Sequence, residues 1–283
     1  MSLLVGVAQF APALGDVDKN LRLIEERVER ARREGVDLLV FPELALTGYT
    51  LKDMAPTVAQ RLDSPMLQKI AKASVGMSIV VGFVEESADY RFYNSVAYFE
   101  DGDIRHVHRK VYLPTYGMFE ETRYLAAGDR IQAFDTRHGR MAMLICEDMW
   151  HPSAPFVASQ DGCEVLIGVA SSPARGVQED DDVYSAKAWH ALNHVYAHFF
   201  GQYVVFANRV GFEDGVAYWG GSEIIGPGGE VVARAPQLEE HLLTGSISSQ
   251  RVRRARIISP LLRDERLDIT MRELTRIQAE RMQ

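Results

Sequence analysis

Cysteine is scarce in this chain. Only Cys146 and Cys163 occur among 283 residues, too few for a disulfide framework, and a reducing, cytoplasmic setting is expected. Long apolar runs are missing too: nothing approaches the roughly twenty consecutive residues needed to cross a bilayer. The opening MSLLVGVAQFAPAL has no basic leader and is broken by Gln9 and Pro12, so it reads as a first strand, not a signal peptide. Positive charge is in deficit, and a net charge of -8 opposes nucleic-acid binding as a main task. The one basic cluster, RVRRAR at 251–256, reads as a solvated or subunit-facing stripe before a phosphate patch. A phosphate-binding loop is also lacking, because GPGG at 226–229 has neither the Lys nor the Ser/Thr such a loop requires. Metal-ligand spacing is absent as well. Cys146, His151 and Cys163 fit no paired-ligand pattern, His106 and His108 share one side of an expected strand, and the acidic run Glu179 to Asp182 reads as a solvated loop leading into a helix. No metal and no cofactor are therefore expected.

What is present is an ordinary globular composition, 47% hydrophobic and 25% charged, at a length that suits one large α/β domain. Leu21, Ile24, Val28 and Ala31 recur at three- and four-residue steps, which predicts an amphipathic helix capped by Asp16 or Asp18. DLLVFPE then reads as a strand covered on both faces, and Ser64-Pro65 opens another helix before the strand SIVVGFVEE. Asn94 to Val107 predicts two strands joined across Asp101-Gly102. MAMLIC and CEVLIGVA read as buried strands around a short helix from Pro152 to Asp161, followed by a helix over Ala186 to Phe200, the strand QYVVFANRV and a hairpin near Gly228-Gly229. This alternation predicts a layered α/β protein with a mixed sheet, a single domain over 1–283. Its C-terminal extension, from about 260, carries one loose apolar helical face that needs docking on the body or on a second subunit.

Two apolar runs break off at reactive side chains, and a third, mixed segment carries more. MAMLICEDMWHPS delivers Cys146, DLLVFPELALTGY delivers Glu43, and HRKVYLPTYGMFEETRYLAAGD carries Lys110 and, ten residues on, Glu120. Each alone fits a duller role: an inert core thiol, a solvated strand-end glutamate, an exposed lysine. Together they fit thiol chemistry. A mostly protonated thiol needs a cation favouring thiolate or a base taking the proton, and Lys110 and Glu43 supply one each. Lys110 and the amide of Glu147 are candidates to face an oxyanion, and a buried carboxyl such as Glu43 can carry the proton to a departing nitrogen.

In order and context, FPELALTGY, HRKVYLPTYGMFEE and ICEDMWHPS resemble the three signature segments of the nitrilase superfamily, the carbon-nitrogen hydrolases. VAQFAP, ANRVG and GGSEIIGPGGEVV extend the likeness over nearly the whole chain. The resemblance implies a four-layer α-β-β-α sandwich, a Glu43, Lys110, Cys146 triad supported by Glu120, hydrolysis of a small-molecule non-peptide amide through a cysteine thioester, and a homodimer or higher even-numbered homo-oligomer. YLPTYGMFEETRYLAAGD with ICEDMWHP resembles most the glutamine-hydrolysing branch attached to NAD synthetases, which implies that Tyr116, Phe119, Glu147 and Ser172 line the pocket. Without a phosphate loop, an independent amidase is expected. The alternatives are a glutaminase supplying ammonia to a separate synthetase, or a non-catalytic binding protein of the same fold.

Overall fold

The computed structural model describes residues 2–175 and 183–282. Two six-stranded sheets dominate it. The first runs, in spatial order, His241–Ser248, Ser2–Gln9, Leu38–Val40, Ser78–Glu86, Phe92–Glu100 and Asp103–Arg109. The second runs Val231–Arg234, Glu223–Ile225, Tyr203–Asn208, Val165–Ala170, Gly139–Ile145 and Ala133–Thr136. Each sheet is mixed, with parallel pairing among its central strands and antiparallel pairing toward its edges. A further two-stranded ribbon, Val210–Glu213 with Val216–Trp219, continues the segment expected as the single strand QYVVFANRV; Arg209 breaks that run.

Side-chain alternation assigns each face of the first sheet to a different layer. Val5, Val7, Leu38, Val40, Val80 and Val96 pack in the same cluster as Met141, Met143, Ile145 and Ile167 of the second sheet. Their alternates Leu39, Phe41, Ile79, Val81 and Phe83 instead meet Leu21, Ile24, Val28, Leu67 and Ile70 of the helices Val17–Arg33 and Pro65–Ala73. Asp16 caps the first of these helices and Ser64 the second, where proline at the first position forfeits no needed N–H. On the far side of the second sheet lie the helices Ser153–Gln160 and Tyr184–Phe200. The result is a four-layer α-β-β-α sandwich.

Beyond it, RVRRAR falls in the helix Ser249–Ile258, where Arg256 donates to the carbonyls of Gly201 and Cys163 and Arg251 pairs with Glu230. The final helix, Leu267–Arg281, buries none of its residues; Leu267, Met271 and Leu274 stay exposed. Among the described residues no helix is long and apolar enough to cross a membrane, and no group of three or more His, Cys, Asp or Glu side chains could hold a metal ion. The acidic run Glu179 to Asp182 lies outside the described residues.

Candidate active site

Glu43 stands where the strand Leu38–Val40 gives out. Phe41 still donates its N–H to Val80 O at 2.9 Å, but Pro42 has no N–H to continue the ladder. The chain then folds back over Gly82, through Leu44 at φ 49°. A Cβ at Gly82 would lie 2.5 Å from Leu44 N and 2.9 Å from Pro42 O, so only glycine allows this close approach. Glu43 is thereby buried with its carboxylate satisfied: Oε1 accepts from Lys110 Nζ at 2.9 Å and Asn94 Nδ2 at 2.8 Å, and Oε2 from the Ser171 N–H at 2.7 Å.

Lys110 follows the edge strand Asp103–Arg109. Its N–H donates to Asn94 O at 2.8 Å and its carbonyl accepts from the Gly128 N–H at 2.7 Å, which fixes the backbone on both sides. The side chain is fully buried. Burial opposes its charge, but Glu121 and Glu43 outweigh that and hold the ammonium above the usual lysine range. Nζ donates to Glu121 Oε1 at 2.7 Å as well as to Glu43, leaving one of its three N–H groups uncommitted to carboxylates.

The second carboxylate is Glu121, not Glu120. Glu120 is the exposed residue just before the short helical turn Glu121–Tyr124, and Glu121, the first residue within the turn, faces inward. Tyr49 donates its hydroxyl to Glu121 Oε1 at 2.6 Å. Burial, with Glu43 nearby, raises the Glu121 carboxyl above the usual range despite Lys110. Two adjacent glutamates in a loop carry no periodicity to say which one faces inward, so the residue pattern alone did not separate them.

Cys146 closes the strand Gly139–Ile145 and opens the tight helical turn Cys146–Trp150. Its φ of 45° is the left-handed conformation that non-glycine residues avoid, as at sharp functional turns. The thiol is buried within electrostatic reach of Glu43, Lys110 and Glu121. Burial and Glu43 push it well above the ordinary cysteine range, and Lys110 opposes them without prevailing. A thiol beside a cation already shared by two carboxylates rests protonated, so chemistry here needs a base.

Cys146 opens onto a cavity of about 180 Å³ lined by Tyr116, Phe119, Glu147, Trp150, Ser172, Arg175, Tyr184 and Trp189, among others. All four residues expected to line a pocket are therefore on its wall. Tyr116 donates its hydroxyl to Glu147 Oε2 at 2.8 Å, Ser172 Oγ accepts from Trp189 Nε1 at 2.9 Å, and Arg175 sits 4.9 Å over the Phe119 ring. Asn94, Ser171, Tyr49, Glu121, Trp150, Arg175 and Trp189 went unanticipated. Their contacts bridge distant segments, which spacing along a chain does not reveal.

An α-β-β-α sandwich with thiol, amine and carboxylates gathered beyond the strand ends is the architecture of the nitrilase superfamily. The chain belongs to the carbon-nitrogen hydrolase family, whose pattern residues 4–257 match. It is 31% identical over 265 residues to a glutamine-dependent NAD(+) synthetase of Thermotoga maritima, a match covering 91% of this chain and 44% of that protein. The chain thus spans less than half the length of that relative. It is also 29% identical to an N-carbamoylputrescine amidase of Solanum tuberosum over 94% of this chain and 92% of that one. A carbon-nitrogen hydrolase from Helicobacter pylori G27 shares the fold at a TM-score of 0.83 and 24% identity, over 97% of this chain and 99% of that chain.

Proposed function

We propose that this carbon-nitrogen hydrolase is an amidase that cleaves a small non-peptide amide to acid plus ammonia or amine through a thioester at Cys146. The observation that carries the reading is Lys110, bound between two buried carboxylates beside a thiol that opens onto a small cavity. Glu43 takes the Sγ proton as sulfur attacks the amide carbon. The carbonyl oxygen becomes an oxyanion facing Lys110 Nζ and the Glu147 N–H, which as a first-turn amide has no partner within its own helix. Glu43 then protonates the nitrogen as the C–N bond breaks, and ammonia or amine leaves. Water attacks the thioester, giving a proton to Glu43, which returns it to sulfur as the C–S bond breaks and the acid departs.

A second reading is favoured by one feature of the cavity. Glu147 and Arg175 place opposite charges on its wall, which suits an amide bearing its own ammonium and carboxylate. That substrate class fits a glutaminase, whether acting alone or feeding ammonia to a separate synthetase. Ammonia release from glutamine, other ω-amides, short aliphatic amides, N-carbamoyl amines and nitriles, with Cys146→Ala as control, tests both readings. Turnover of uncharged aliphatic amides in preference to glutamine opposes the second. No turnover of any compound, with a Cys146 no more reactive than Cys163, supports a binding protein instead.

A further inference from the structure

We propose that Asp148 and His108 form the device that positions the nucleophile against Lys110, an inference that rests on the reading of Cys146 as the attacking thiol. Asp148 is fully buried, and its two oxygens serve different segments. Oδ2 accepts from the Ile145 N–H at 3.0 Å, immediately before Cys146, and faces His108 Nε2 at 2.8 Å. Oδ1 accepts from the N–H groups of Val111 at 3.0 Å and Tyr112 at 2.9 Å, immediately after Lys110. A carboxylate only accepts, so the imidazole donates its Nε2–H.

One side chain therefore grips the residue before the thiol, the residues after the amine and, through His108, the strand leading to the amine. Neither Asp148 nor His108 lines the cavity at Cys146. They act on the reaction only by holding Cys146 and Lys110 in register. That constraint has work to oppose, since Cys146 is kept at φ 45°, a strained conformation for a non-glycine residue that persists only where its surroundings impose it. A charged acceptor taking several N–H donors in a buried site is the strong form of such a restraint.

Three variants test the device. Asp148→Asn has a single carbonyl oxygen and can keep the Ile145 clamp or the Val111/Tyr112 clamp, not both. His108→Leu removes the donor to Oδ2, and His108→Gln restores an N–H at similar reach. Misplacement of reacting groups by about 1 Å costs on the order of a hundredfold, so D148N and H108L should lose roughly that much in kcat. KM should stay nearly unchanged, because the substrate wall is intact. H108Q should recover most of the loss. Steady-state kinetics, with thermal unfolding of each variant, supply the readouts. If D148N does not fold, the His108 pair decides alone. Wild-type kcat in H108L, or equal loss in H108L and H108Q, overturns the proposal. Turnover surviving in Cys146→Ala instead overturns the underlying reading of the thiol, so the two failures are separable.

Discussion

Adding one methyl group at Gly82 perturbs the site without altering any of its functional groups. In Gly82→Ala the new Cβ would stand 2.5 Å from Leu44 N, 2.9 Å from Pro42 O and 3.1 Å from the Glu43 carbonyl carbon. Ordinary contact begins at 3.4 Å, so the loop must retreat by the difference between 3.4 and 2.5, 0.9 Å, where it meets the new methyl. The atoms that must move are backbone, not the yielding end of a flexible side chain. Gly82 is not in the left-handed region, so the effect isolates the clash from backbone strain. Glu43 rides on the displaced loop and would draw away from Lys110 and the Ser171 N–H, now at 2.9 and 2.7 Å. A shift of about 1 Å in a reacting group costs on the order of a hundredfold, and overpacking costs about 1–3 kcal/mol of stability. The assay is ammonia release under saturating amide, paired with thermal unfolding. A G82A protein that folds and turns over within about twofold of wild type, a difference of well under 1 kcal/mol, would refute the claim that this contact sets the place of Glu43.

Glu121→Gln, which removes one of the two anions on Lys110, should lower turnover by about tenfold or more, equivalent to 1.4 kcal/mol or more. Exposed Glu120→Gln should leave activity unchanged and stability within about 0.5 kcal/mol; a reversed order in parallel kinetics would restore Glu120 as the second carboxylate. Lys110→Ala should cost about two powers of ten or more in kcat, having removed the charge facing the oxyanion. Because burial raises the Cys146 thiol well above its ordinary range, thiolate is a minor species at neutral pH and grows with each step in alkalinity. Iodoacetamide should thus label Cys146 ever faster from pH 7 to 9, about tenfold per unit without a plateau. It should do so ahead of fully buried Cys163, whose thiol burial pushes up to about 12. A plateau near neutrality in the peptide-resolved labelling rate would show a stabilised thiolate instead.

Much of this architecture is legible in local pattern. The strand SIVVGFVEE, the helix caps at Asp16 and Ser64, and the abrupt ends of the runs bearing Glu43 and Cys146 all follow from periodicity and from proline's missing N–H. Each of those signals lives within a few residues. What stayed hidden lives between segments. Asp148 reaches across 40 residues to His108, Ser171 reaches across 128 to Glu43, and the choice between Glu120 and Glu121 depends on which side of a short turn faces Lys110. Spacing along the chain says nothing of such contacts. The C-terminal helix is a further case: its loose apolar face is readable, but the exposure of Leu267, Met271 and Leu274 within one chain is not.

The central claim is that sulfur at position 146 becomes bonded to the acyl carbon during turnover. Mass spectrometry of enzyme quenched during steady turnover of the best amide tests it most directly. The peptide holding Cys146 should gain the mass of the acyl group, with the gain accumulating in Glu43→Gln if deacylation is slowed more than acylation, and Cys163 should stay unmodified. Rapid turnover with no adduct on Cys146, together with activity retained in Cys146→Ala, would contradict the account.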